Sequence, residues 1–146
     1  MNGTKGRLTR RKAAAVVLAA ALLLLALLGL RVHWSKTDCA TQEGRVAYLQ
    51  RLGWEVSAAS EEHQTVRLPD NSDDTLAAYN RMQKAQGFDL SRHCGETCEI
   101  YTYEVTNYPD SGQTVLATLY VQGRRVVAGD IHSTALNGFM HGLKRP

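Results

Sequence analysis

Hydrophobic and polar positions divide the chain into one unbroken apolar block and a long stretch of periodic pattern. Residues 13–30 (AAAVVLAAALLLLALLGL) carry no charged or polar side chain. A helix rising about 1.5 Å per residue would carry them across about 27 Å, close to the ~30 Å hydrocarbon core of a bilayer. Val32 and Trp34 extend that reach if Arg31 snorkels to the headgroups, which sets the Trp34 indole at the interface. Farther along, the pattern turns periodic. Over residues 42–52, Val46 with Leu49 and Tyr48 with Leu52 share a helical face, and Gly53 follows as a left-handed cap. Segments 54–58 and 63–68 read as strands, the second ended by Pro69. Over 73–86, Leu76, Tyr79 and Met82 recur every three residues. Cap oxygens at Asp70, Asn71 and Ser72 and an acidic first turn precede that helix, and Gly87 ends it.

The C-terminal half alternates with period two. In 99–106, Tyr101, Tyr103 and Val105 oppose Ile100, Thr102 and Glu104; in 114–121, Val115, Ala117, Leu119 and Val121 oppose Leu116, Thr118 and Tyr120. Gln122-Gly123 is a short turn into a third strand over 125–131. Two helices precede these strands instead of alternating with them. The order predicts an α+β domain with two helices packed on one face of an antiparallel sheet. Leu136, Phe139, Met140 and Leu143 fall at i, i+3, i+4 and i+7, predicting a last helical turn or two, weakened by Gly138 and Gly142.

Charge fixes the expected topology. Lys5, Arg7, Arg10, Arg11 and Lys12 precede the apolar block, and only Arg31 and Lys36 follow it closely. By the positive-inside rule, residues 1–12 are a basic cytoplasmic tail, 13–34 a single transmembrane anchor in the lipid bilayer, and 35–146 an extracytoplasmic domain. A cleaved secretory signal is the competing reading, but the bulky and charged run Leu28 to Trp34 stands where a peptidase needs small residues. From Arg31 onward, twelve of the seventeen cations face all fourteen acids, so the external part carries −2 although the whole chain carries +3. The basic tail is explained by topology and anionic lipid, and no basic-aromatic patch points to nucleic acid. The external 116 residues suit one domain with a core of its own.

Three cysteines lie on the external side. Cys94-Gly-Glu-Thr-Cys98 has the spacing for a small disulfide loop, leaving Cys39 odd; a zinc site would need more ligands than His93 adds. No cofactor motif is present.

Leu52-Gly53-Trp54-Glu55-Val56, Tyr79-Asn80, Gln86-Gly87-Phe88-Asp89-Leu90, Tyr101 through Pro109, and Gly129-Asp130 leading to Gly138-Phe139-Met140-His141-Gly142-Leu143 together resemble an uncharacterised bacterial family, domain of unknown function 4830. The resemblance covers most of residues 38–143. It implies an anchored, extracytoplasmic layout and no assigned activity. Where that family has Gly-Gly-Asp, this chain has Ala128-Gly129-Asp130.

Candidate chemistry is sparse. Asp130 and His132 are two apart on a strand, so carboxylate and imidazole project from one face, as in the orienting half of a nucleophilic triad or metal site. Ser133 and Thr134 are conceivable nucleophiles and His141 a further ligand, yet neither Gly-x-Ser-x-Gly nor His-Glu-x-x-His occurs. A structural alternative is an Asp-His pair capping a neighbouring loop. Tyr101, Tyr103, Tyr108 and Tyr120 could form a stacking platform for a sugar or peptide, or simply sheet core. Glu61-Glu62 and Asp73-Asp74 fit a turn and a helix start. The resulting expectation is a membrane-anchored binding or interaction domain with a protein or cell-envelope partner. Its alternative is a small extracytoplasmic hydrolase or ligand-binding enzyme using Asp130 and His132.

Overall fold

The computed structural model describes residues 21–22, 37–71, 73–109 and 112–145. Apart from Ala21 and Leu22, the anchor assigned to 13–34 lies outside the described residues, as does the tail 1–12. Among the described residues no helix is long and apolar enough to cross a membrane. From Thr37 onward the chain forms a single folding unit.

Helix α1 (Gln42–Arg51) starts where the Thr41 hydroxyl accepts the Gly44 N–H and ends at Leu52, beyond which Gly53 takes φ +90°. Strand β1 (Glu62–Arg67) follows, and α2 (Asp74–Ala85) opens on Asp73, whose carboxylate accepts the Leu76 N–H at 2.7 Å. Strands β2 (Thr97–Glu104), β3 (Val115–Gln122), β4 (Arg125–Ser133) and β5 (Met140–His141) complete an antiparallel sheet in the order β1-β2-β3-β4-β5. The α+β architecture expected from element order is present. Two segments differ.

Segment 54–58 makes only one bridge, Val56 to Val105, and then a 3-10 turn at Ala58–Ser60. Trp54 decides this. Its ring is wholly buried and its Nε1 donates to the Leu143 carbonyl at 2.6 Å, so the segment serves the indole and not a ladder. At the C-terminus the helical spacing of Leu136, Phe139, Met140 and Leu143 yields no helix. The Ser133 N–H donates to the Phe139 carbonyl, and β5 pairs Met140 with His132 and His141 with Ile131. A Cβ at Gly138 would stand 2.6 Å from Ser133 Oγ, so the loop is tight enough to admit only glycine there. Leu143 alone of the four is fully buried; Phe139 packs half-buried against the core, and Leu136 and Met140 are exposed.

Register also separates the helices. Tyr101, Leu119 and Gly129 form one row across β2, β3 and β4, and Tyr103, Ala117 and Ile131 the next. Between them, Ile100, Tyr120 and Ala128, then Thr102, Thr118 and Asp130, face the other way. Val46, Leu49 and Leu52 of α1 join the first set with Trp54 and Leu143. Leu76 and Tyr79 of α2 join the second with Leu68, Leu90 and Cys98. The two helices therefore cover opposite faces, not one. Alternation along a strand marks two faces but cannot say which helix takes which.

At the β4 edge, α2 does the work of a strand. Gln83 is fully buried; the Gly129 N–H donates to its Oε1 at 2.9 Å, and its Nε2 donates to the Gly129 carbonyl at 3.0 Å. Both backbone groups of an otherwise open edge residue are thus satisfied by one amide. Gly129 must be glycine, since an added Cβ would sit 2.7 Å from both the Thr118 carbonyl oxygen and Leu143 Cδ1.

Candidate functional site

Strand alternation puts Asp130 and His132 on the α2 face of β4, and the helix supplies a third group. Nδ1 of His132 lies 2.7 Å from Asp130 Oδ1, and the Tyr79 hydroxyl donates to Asp130 Oδ2 at 2.6 Å. A carboxylate only accepts, so the imidazole proton sits on Nδ1 and Nε2 is the outward nitrogen. No other hydrogen bond holds His132 among the described residues. Asp130 is 3% exposed, whereas a quarter of the His132 side chain (26%) meets solvent. The hydrogen bond to Asp130 raises the His132 pKa above its ordinary value, against the opposing effect of burial. Burial first, and then the Asp130 charge, push the Tyr79 and Tyr120 phenols up as well, so both stay neutral donors. The result is a Tyr79–Asp130–His132 array whose exposed end is an imidazole held through Nδ1.

What surrounds that imidazole is the sheet surface of β3 and β5. Leu116 lies opposite His132 on β3 and Met140 opposite it on β5; Thr118 faces Asp130, with Thr102 Oγ1 3.4 Å from Thr118 Oγ1. The other proposed reactive groups are elsewhere. Ser133 turns to the opposite face and donates to Gln113 Oε1, and the Thr134 hydroxyl bonds the Thr114 carbonyl. His141 opposes Ile131, lies 3.1 Å from the Tyr108 hydroxyl and stacks on Phe139. Among the described residues one cleft of about 420 Å³ lies beside Phe88 and Val126, and another of about 560 Å³ beside Gly53 and Thr106. Asp130 and His132 line neither.

The candidate tyrosines do not make one platform. Tyr101 and Tyr103 lie on the α1 face and Tyr120 on the other. Tyr103 is wholly buried, its hydroxyl held between Arg45 and Glu61; Tyr101 is sandwiched by His63 at 4.7 Å and by the Arg45 guanidinium at 3.4 Å. Tyr120 packs on Tyr79 at 5.9 Å. Tyr108 stacks between Trp54 and Phe139. Cys39, Cys94 and Cys98 are free thiols here: Cys98 points into the cluster of Leu68, Leu90 and Ala128, while Cys94 closes the Leu90–His93 turn. The Cys94–Cys98 loop suggested by spacing is not closed in this geometry. Among the described residues no group of three metal-ligating side chains converges.

Two members of this neighbourhood carry no functional signal in the sequence: Tyr79 falls in an apolar helical stripe with Leu76 and Met82, and Gln83 in none. Their four-residue spacing on one helical face is all that links them.

The family described as Domain of unknown function (DUF4830) matches residues 48–131. The chain belongs to this family. The matched span runs from within α1 to Ile131, so it holds Tyr79, Gln83, Gly129 and Asp130 of the DUF4830 domain and ends one residue before His132. No curated protein and no solved structure matches the chain.

Proposed function

We propose that this DUF4830 protein is a single-pass membrane protein with its N-terminus in the cytoplasm, and that its extracytoplasmic domain is a binding module. The anchor reading rests on the apolar block 13–30 and its cationic flank. One observation carries the binding reading: His132 stands on a partly open sheet face beside exposed Met140, outside both clefts and with no aligned nucleophile among the described residues. A sheet surface mixing Leu116, Met140, His132 and Thr102 suits a protein or envelope surface better than a small substrate, which needs concavity.

The test is a photo-crosslinking residue at Met140, and separately at Arg81 on α2, in the full chain within its own membranes. A discrete adduct at Met140, absent at Arg81 and lost on Leu116→Glu, supports the face. No adduct at Met140, or equal adducts at both positions, overturns it. Alkaline carbonate should leave the chain in the membrane pellet; release into the supernatant overturns the anchor. The formed Asp130–His132 pair keeps a second reading in view, in which Nε2 activates water on an extracytoplasmic ester or amide. Hydrolysis lost in His132→Gln but kept in Met140→Ala would favour it.

A further inference from the structure

Strand β4 is covered along its outer edge by β5 at Ile131 and His132 and by the Gln83 amide at Gly129. Among the described residues no strand pairs outward of Arg125–Ala128. The 420 Å³ cleft runs beside that stretch, lined by Val126 and Val127 on one side and by Phe88, Asp89, Arg92 and Lys84 on the other. Consecutive strand residues project to opposite faces, so a cleft bounded by both valines follows the edge of the strand instead of either face. The cleft is a groove beside an unpaired strand.

Its far wall has one excess sign of charge. Lys84 Nζ stands 3.8 Å from Asp89 Oδ1 and Arg92 Nε 3.4 Å from Asp89 Oδ2. Hydrogen bonds from Asn80 and Ser91 hold the Asp89 carboxyl at about 2, so it stays charged. Two cations against one carboxylate leave a positive charge uncompensated, and exposed Arg125 adds another where the uncovered stretch begins. We propose that this edge accepts an extended acidic peptide segment of a partner protein, added to the sheet as a short strand. Gln83 already makes at Gly129 the paired hydrogen bonds that such a strand would make. That cap confines the new ladder to Arg125–Ala128, a stretch that contains the register irregularity at Val127, skipped between the Val121–Val126 and Tyr120–Ala128 pairs, so only a few backbone groups remain to be paired. So short a ladder binds weakly by itself, and carboxylates facing Lys84 and Arg92 supply the selectivity. This inference is independent of the reading of the Met140 face.

The test titrates acetyl-Asp-Val-Glu-Val-Asp-amide into the ¹⁵N-labelled full chain in lipid nanodiscs. Saturable amide shifts are expected at Phe88, Arg92, Val126 and Val127, with affinity falling about tenfold in Lys84→Gln/Arg92→Gln and falling again in high salt. Both side chains are more than half exposed, so the double variant should keep the fold. A peptide of the same charge with its backbone amides N-methylated lacks the N–H donors of a ladder and should leave those amides unmoved. Equal binding by both peptides would reduce the site to bare charge and overturn the proposal. No shift, or shifts on the β1 edge, would also overturn it. Self-association of the peptide-free chain through Val126 and Val127 would assign the edge to a second copy and exclude the partner segment.

Discussion

Replacing Asp130 by Asn should make the stability of the domain less dependent on pH, with a sign set by the array around it. Asp130 is nearly inaccessible and accepts from both His132 and Tyr79. Asn keeps the shape but offers one acceptor oxygen in place of two and carries no charge. Hydrogen bonds to charged groups contribute about 1.5–3 kcal/mol each, and the amide can retain one donor in neutral form, so the expected loss is about 2 kcal/mol. Its pH dependence follows from His132. The folded pKa of that imidazole is raised by the Asp130 hydrogen bond. Stability linked to its proton is therefore fully present below the unfolded value of about 6.5 and disappears as pH rises through the higher folded value. The cost of Asp130→Asn should be larger at acid pH, near 5.5, than in alkaline buffer near 9. Urea unfolding of the full chain at both pH values, with NMR titration of the His132 ring, measures this. His132→Gln should remove most of the difference between the two pH values. An Asp130→Asn cost that is equal at both, or a His132 ring that titrates identically in variant and parent, would refute the electrostatic coupling.

Gln83→Leu strips the Gly129 N–H of its acceptor, while the Gly129 carbonyl keeps the Gln86 Nε2 donor at 3.1 Å; losing about 1–3 kcal/mol for the orphaned N–H, it should unfold at clearly lower urea than the parent. Gly129→Ala drives a Cβ into the Thr118 carbonyl, a backbone atom that cannot step aside, and should cost about 1–3 kcal/mol by thermal melt, only partly relieved by adding Leu143→Ala. Arg45→Ala leaves Glu61 beside the Tyr103 hydroxyl without its cation and frees the Cys39 and Ala40 carbonyls; about 3–5 kcal/mol should be lost in the same assay. A melting temperature within a degree of the parent in any of these would remove the corresponding contact from the account of stability.

Local pattern was readable wherever one side chain had one job. Period two located β2, β3 and β4 because Tyr103, Ala117, Leu119 and Ile131 are all wholly buried on one face. Both long helices announced themselves through apolar spacing and the glycine past the end, but their caps did not: Thr41 carried no signal, and Asp73, not Asp70 to Ser72, is the cap of α2. Where a distant partner decided, pattern failed. Trp54 is fixed by a carbonyl 89 residues away, and the stripe at 136–143 has the spacing of a helix but is held extended by hydrogen bonds to β4. The Asp130–His132 pair was legible from a two-residue offset on one strand. Tyr79 and Gln83 were not, because their partners belong to β4 and only tertiary packing brings them there. Arg45 is the extreme case: a helix-surface arginine by sequence, nearly inaccessible in the fold.

The clasp between the two ends of the domain sets an order of assembly. Strands β1 to β5 pair in chain order, so each can form as soon as its predecessor exists and little loop entropy opposes it. Trp54 breaks that economy. Its indole stays without an acceptor until Leu143 arrives, and Arg145, which bonds the Gly53 and Asn107 carbonyls and lies over the indole ring, arrives later still. The largest buried side chain among the described residues is thus sealed last, by the segment that follows the final strand. A domain cut just before residue 143 keeps every strand and both helices yet leaves its core open at Trp54, so secondary structure can be complete while the fold is not.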